Sequence, residues 1–333
     1  MKLDTDVGRW FFVAAMGMLG MALALVVIRN PGLLRPPSPA ASATPVPHRT
    51  IESPYGNGAF RRGQAHGQTN VGTGHAFAAT LGSAYREAGY EWLAVTDLNA
   101  ITSPALLATP GLTVVPSAGA TYGFGTFLAY NVDAIPDAIT PRQVVDGVQA
   151  QAGVVFVGRP LAEPAPNYDQ LVSLRDVDGI EIFDARLVKD DPTHADAVAL
   201  WDRLLTDGMR LWGIAGDDTI EERGPDSTIG RTSTDVQVDE VTPIKVTDAL
   251  RRGAFIAGNG QAVNSVTVAG DTITVSTPDA EHIAFIGRGG EVLRTTDGPT
   301  GSYTVNYSEL YVRAVAYRAD GRRAWVQPVF VNP

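Results

Sequence analysis

Five short stretches carry residue types that could do chemistry. Gln64-Ala65-His66-Gly67-Gln68-Thr69 places an imidazole and an amide two residues apart. Thr96-Asp97-Leu98-Asn99 offers one carboxylate and one amide, and Ala215-Gly216-Asp217-Asp218-Thr219-Ile220 offers two adjacent carboxylates. Gly158-Arg159-Pro160 carries a fixed cation, and Glu181 lies inside the apolar run 179–184. Imidazole and carboxylates drawn together by a fold can hold a divalent cation or exchange protons. Donors are scarce here, however. Leu98 and Ile220 cannot coordinate, and the amide of Gln68 is a weak ligand. Arg159 suggests another use. A guanidinium facing Asp97, Glu181, Asp217 and Asp218 could satisfy them by ion pairing, or could bind an anionic ligand itself. His75, in Gly72-Thr73-Gly74-His75, reads as a solvated loop residue or an off-register ligand.

These stretches must be positioned by the elements between them. Apolar runs at 91–97, 112–116, 126–132, 153–158, 179–184 and 210–215 read as buried strands. They alternate with helical patterns at 76–88, 141–152, 194–207 and 246–253. In the 194–207 pattern, Ala197, Leu200, Trp201, Leu204 and Leu205 share one side. Strand and helix in alternation, with continuously apolar strands, argue for a parallel sheet covered on both faces. So many units suit a closed or nearly closed barrel, with the chemistry where strands hand over to loops. After Gly258-Asn259-Gly260 the texture changes to short, often alternating strands separated by Gly, Asp and Asn turns, which predicts a small antiparallel β-sandwich.

The order and spacing of the motifs resemble the metal-dependent phosphoesterases of the polymerase-and-histidinol-phosphatase (PHP) family. That family's signatures run approximately D-L-H-x-H-[ST], then T-D-H-N, then a late S-D-x-H. The phrases 85–97 and 197–218 also look like its helix-to-strand links. The resemblance implies a distorted (β/α)7 barrel over about 61–260 and a site of two or three divalent ions that activates water and clamps phosphoryl oxygens. It also shows which ligands are replaced. The second His of the first motif is Gln68, and the His of the second is Leu98. The final His is Ile220, a Glu is missing near Gly119, and the His of an Ala-His-Pro is Arg159. The remnant pocket would consist of His66, Gln68, Asp97, Asn99, Arg159, Glu181, Asp217 and Asp218. If any metal is held, His66, Asp97 and Asp218 would hold it.

Bulk composition narrows the classes. The chain has 333 residues, a formal net charge of −10 and no cysteine. Disulfides, thiolate metal sites and a thiol nucleophile are therefore excluded. An acidic chain without a basic tract is a poor nucleic-acid binder. Residues 10–28 form an uncharged apolar run that as a helix would extend about 28 Å, near the thickness of a bilayer's hydrocarbon core. This predicts a single-pass anchor within residues 1–29. Residues 30–60 would form a Pro/Ala/Ser-rich stalk, with the main domain outside the membrane. The domain plan is thus anchor 1–29, stalk 30–60, barrel 61–260 and sandwich 261–333.

The functional expectation follows from the ligand count. The chain reads as a membrane-anchored PHP-type homologue without catalysis, which binds or scaffolds and needs no cofactor. The alternative is a residual hydrolase of phosphoric esters using one Zn, Mn or Fe ion or a rearranged ligand set. A small anionic molecule is the ligand class that Arg159 suggests.

Overall fold

The computed structural model describes residues 50–332. Among them no helix is long and apolar enough to cross a membrane. The expected anchor at 10–28 and most of the stalk lie outside the described residues.

The parallel strands form where the sequence is apolar on both faces. Val154–Gly158, Gly179–Asp184 and Trp92–Val95 are buried along their whole lengths. A six-stranded sheet runs in the order Trp212–Gly216, Gly179–Asp184, Val154–Gly158, Gly125–Tyr130, Ser117–Tyr122, Ala100–Ile101. Its first three strands are parallel and the others are joined antiparallel. A three-stranded parallel sheet, Gly63–Gly67, Trp92–Val95 and Thr113–Val115, lies beside it. The two sheets approach through isolated bridges, Gly67 with Thr219 and Leu98 with Gly119. The ladder is thus divided between sheets and does not form one uninterrupted ring. The antiparallel Ser117–Tyr122 strand is absent from the sequence expectation. Its run, Ser-Ala-Gly-Ala-Thr-Tyr, is too poor in large apolar residues to read as buried.

Helices cover these sheets. Val198–Thr206 buries Trp201, Leu204 and Leu205, and the Trp201 indole N–H donates to the Leu211 carbonyl at 3.2 Å. Side chains of that size contribute roughly 1.5–3 kcal/mol each on full burial. The helix begins later than residue 194 because residues 195–197 pair with the backbone of the Gly179–Asp184 strand, through Asp184 N–H to the Ala195 carbonyl at 3.0 Å and Ala197 N–H to the Ile182 carbonyl at 2.9 Å. Pro141–Gln149 and Pro243–Arg252 begin after Thr140 and Thr242, whose hydroxyls accept backbone N–H groups, with proline in the first turn.

The C-terminal strands extend a sheet that also serves the α/β part. Val292–Asp297, His282–Ile286, Tyr311–Tyr317 and Arg323–Asn332 continue into Phe255–Gly258, Ser233–Val238 and Ala59–Arg61. A separate three-stranded sheet, Ser265–Ala269, Thr272–Ser276 and Thr300–Thr304, packs on one end through Val266, Ile273, Val275 and Phe285. The seam is held by polar pairs as well as by packing. Gln327 exchanges two 2.8 Å hydrogen bonds with the backbone of Gly213. The Arg313 guanidinium binds both Asp202 carboxylate oxygens at 2.7 Å, in a buried bidentate pair. The fold is therefore a mixed α/β structure with several sheets.

Candidate functional site

Four strands and the residues that follow two of them build the site. Gly63–Gly67 supplies His66, Gly179–Asp184 supplies Glu181 and Asp184, the end of Val154–Gly158 leads into Arg159, and Trp212–Gly216 leads into Asp218. His66 and Asp218 are fully buried, while Glu181 and Asp184 are 1% and 2% exposed. The His66 Nδ1 lies 2.9 Å from Glu181 Oε1, and its Nε2 lies 3.2 Å from Asp218 Oδ1. Glu181 Oε2 accepts the backbone N–H of Arg159 at 2.9 Å. The Arg159 side chain, a quarter exposed, brings Nε to 3.3 Å from Asp184 Oδ2 and Nη2 to 3.4 Å from Asp218 Oδ2. Asp184 Oδ1 accepts the N–H groups of Arg186 and Leu187 at 2.9 Å.

Close approach here depends on the backbone. A Cβ on Gly216 would sit 2.2 Å from Glu181 Oε1 and 2.6 Å from the His66 Cβ. Arg159 and Asp218 both occupy the left-handed region, with φ of 49° and 42°. Such a conformation costs a non-glycine residue about 1 kcal/mol or more, and tends to persist where a site needs a side chain aimed.

Electrostatics dominate the chemistry. Burial alone would drive the His66 imidazole towards neutrality. The carboxylates of Asp218, Glu181 and Asp184 outweigh it and raise His66 to about 9, so it is a cation at neutral pH. Asp184 is pushed well above the usual carboxylate range by burial and by the charges of Asp218 and Glu181. His66 and Arg159 pull the other way. Arg159 itself is raised: burial lowers it, but Asp218, Asp184 and Glu181 more than compensate. Two cations thus face three acids inside the protein.

The remaining expected residues are divided between this network and other work. Gln68 joins it by donating from its amide to Asp218 Oδ1, while its own Oε1 accepts from Thr73. Asp97 does not join. It accepts from the Thr69 N–H and hydroxyl at 2.6 Å each, and from the Thr102 hydroxyl, which makes it a loop clamp. Asp217 points away from its neighbour, accepting from Thr232 N–H at 2.7 Å and Gly230 N–H at 3.0 Å. Burial pushes Asp217 up to about 7 against the pull of those hydrogen bonds. Asn99 is exposed, in the left-handed region at φ 57°, and its Oδ1 accepts from Thr121 N–H. His75 is two-thirds exposed and pairs with Glu221.

The metal question has a geometric answer. His66, Glu181 and Asp184 each offer a ligand atom, all within 4.8 Å of one another, and could hold one metal ion. Of the expected trio only His66 belongs to this group. Asp97 is replaced by Glu181 and Asp184 because its lone pairs are already committed to Thr69 and Thr102. His66 Nε2, Asp184 Oδ2 and Asp218 Oδ2 are buried without a hydrogen-bond partner. One nitrogen and a few carboxylate oxygens fit a single ion at most. They do not fit a two- or three-ion cluster, since Leu98 and Ile220 supply no donor and Arg159 sets a positive charge against the free oxygens. Asp184 was not among the expected site residues. Its position at the last residue of a strand, where such folds keep their chemistry, was the available signal.

No protein-family description matches this sequence, and no curated protein matches it. Solved structures do. One is a two-domain protein from Bacteroides vulgatus ATCC 8482 containing a predicted PHP-like metal-dependent phosphoesterase. It is 12% identical, matches over 84% of this chain and 88% of that one, and has a TM-score of 0.50. PsfC from Pseudomonas syringae PB-5123 is 14% identical over 58% of this chain and 88% of its own, with a TM-score of 0.42. A protein from Bifidobacterium adolescentis described as a metal-dependent phosphoesterase is 14% identical over 57% of this chain and 96% of its own, with a TM-score of 0.36. At such identities similarity speaks of fold alone, and on that ground the chain has the fold of the two-domain, PHP-like Bacteroides protein.

Proposed function

We propose that this chain is a PHP-type homologue, a distorted (β/α)7 barrel followed by a small β-sandwich, whose ancestral metal centre has become an ion network and which binds rather than hydrolyses. The observation that carries the reading is the Arg159 guanidinium. It stands 3.3 Å and 3.4 Å from the otherwise unpartnered oxygens of Asp184 and Asp218, beside a cationic His66. A fixed cation neutralises those carboxylates without a divalent ion. In the same reading residues 10–28 anchor the chain and hold its main domain outside the membrane.

A second reading has its own support. His66, Glu181 and Asp184 form a compact donor trio. One Zn, Mn or Fe ion bound there, after loss of the His66 proton and withdrawal of Arg159, would supply Lewis-acid chemistry for ester hydrolysis.

Elemental analysis of the purified chain, with nitrophenyl phosphate mono- and diester assays in added Mn2+, separates the two. The network reading expects well under one ion per chain and no turnover. Stoichiometric metal together with turnover lost in both His66→Ala and Asp218→Ala would overturn it.

A further inference from the structure

A cavity of about 750 Å3 opens beside the end of the Gly179–Asp184 strand, where the loop 222–231, the turn at Asn259 and Gly260, and Arg322 of the last hairpin converge. That volume suits a small molecule. Its charge is unlike that of the chain. Three guanidiniums, from Arg223, Arg231 and Arg322, line it against the single carboxylate of Glu222, in a protein of net charge −10.

The three cations are weakly engaged. Arg223 reaches Glu87 at 3.5 Å and Arg322 reaches Asp320 at 3.5 Å, in pairs that are about half exposed or more. Long, solvated pairs of this kind contribute little and are readily exchanged for a better anion. Among the described residues Arg231 makes no ion pair. The turn beneath Arg322 is fitted to it. A Cβ on Gly260, whose φ is 110°, would lie 2.8 Å from the Arg322 Cδ, so the bare glycine lets the arginine lie across the turn. Phe183 and Ile229 add an apolar wall. Arginine forks matched to anionic oxygens, beside an apolar surface, are the recognition chemistry of a phosphorylated small molecule.

We propose that this cavity binds a small organic molecule carrying phosphate groups. The cavity adjoins the Arg159 network through Phe183 and Ala185, the neighbours of Asp184, but His66, Arg159, Glu181, Asp184 and Asp218 do not line it. The proposal rests on the non-catalytic reading in one respect: the ligand is held and not turned over.

The test is calorimetric titration of the full chain with pyrophosphate at low salt, with released orthophosphate measured afterwards in the same sample. Saturable one-site binding is expected. Each of Arg231→Ala and Arg322→Ala should weaken it about tenfold, the scale of one charge-assisted hydrogen bond, while Arg159→Ala leaves it unchanged. Both cavity variants alter solvated side chains, and their melting curves should match that of the parent chain. The proposal is overturned by absence of saturable binding, by an affinity unaltered in both cavity variants, or by binding lost in Arg159→Ala. Released orthophosphate would instead sink the non-catalytic reading, while the cavity assignment would still stand on the two arginine variants.

Discussion

Two buried ion networks among the described residues are built differently. At the seam, Arg313 and Asp202 meet as a bidentate pair with both contacts at 2.7 Å, and the Tyr311 hydroxyl donates to the same carboxylate at 3.1 Å. One cation meets one acid in fork geometry, over the Trp201 ring, although Arg313 Nη1 is itself buried without a hydrogen-bond partner. At the strand ends, two cations meet three acids, the Arg159 contacts stretch to 3.3 Å and 3.4 Å, and three polar atoms of His66, Asp184 and Asp218 have no hydrogen-bond partner. The two residues that aim the side chains there also sit in the left-handed region. A network that serves packing can settle into its best geometry. One left over-supplied with acid and held by strained backbone has not settled so, and that difference is what supports the proposed role of the strand ends.

The contrast can be broken by mutation. Asp202→Ala would leave Arg313 charged and unpaired in the interior. It should cost roughly 3–5 kcal/mol, read as a lower midpoint in urea or thermal unfolding. A loss below about 1 kcal/mol would mean that the seam pair contributes no more than a surface contact.

The second network should reveal itself through pH. His66 is raised in the folded state to about 9 from an unfolded value of about 6.5. Its contribution is complete below the unfolded value and is lost as pH rises through 9. The total is on the order of 3 kcal/mol. Asp217, raised to about 7, and Asp184, pushed well above the usual carboxylate range, also lose stability with rising pH, so the imidazole is read from the difference between the parent chain and a variant without it. From pH 7 to 9 unfolding free energy should fall more steeply in the parent chain than in His66→Gln. Equal slopes in the two would remove the cationic imidazole from the account.

Gly216→Ala tests how tightly the second network is packed. The added Cβ meets Glu181 Oε1 and the His66 Cβ at distances that cannot persist, and overpacking of this kind costs roughly 1–3 kcal/mol. Arg159→Gln leaves Asp184 and Asp218 buried without that cation, and should cost less than Asp202→Ala because the Arg159 side chain is already a quarter exposed and water can replace part of the pairing. Its other effect sharpens the comparison. With the guanidinium removed, Mn2+ affinity measured by calorimetry should rise at least tenfold. Unchanged affinity would show that Arg159 does not stand in for an ion.

Much of this arrangement is legible along the chain. Continuous apolar runs place the strands at Val154–Gly158, Gly179–Asp184 and Trp212–Gly216 within a few residues, because burial on both faces leaves little choice of residue. Arg159 and Asp218 are likewise identifiable as residues just past the ends of such runs, Glu181 as a carboxylate inside one, and His66 from its short motif. Asp184 also ends such a run, but its facing the same site as Glu181 is not legible, for a geometric reason. Residues three apart in a regular strand point to opposite faces, but the register shifts between Glu181 and Phe183, and both carboxylates reach the same imidazole. Asp217 and Asp218 look equivalent in sequence. The backbone turn at Asp218 sends one to Thr232 and the other to His66. Asp97 carries the right side chain in the right motif, yet only the folded loop brings Thr69 and Thr102 onto its lone pairs.

The amino-acid order alone therefore determined which segments must be buried, and which positions carry side chains able to donate to a cation, because solvation and coordination are properties of side-chain type. What the acids do was decided by tertiary contacts. Whether a carboxylate meets a cation, a hydroxyl or a neighbouring acid depends on differences of a few tenths of an ångström, set by a register shift, two left-handed residues and one glycine, and no local pattern encodes distances across strands so far apart in the chain.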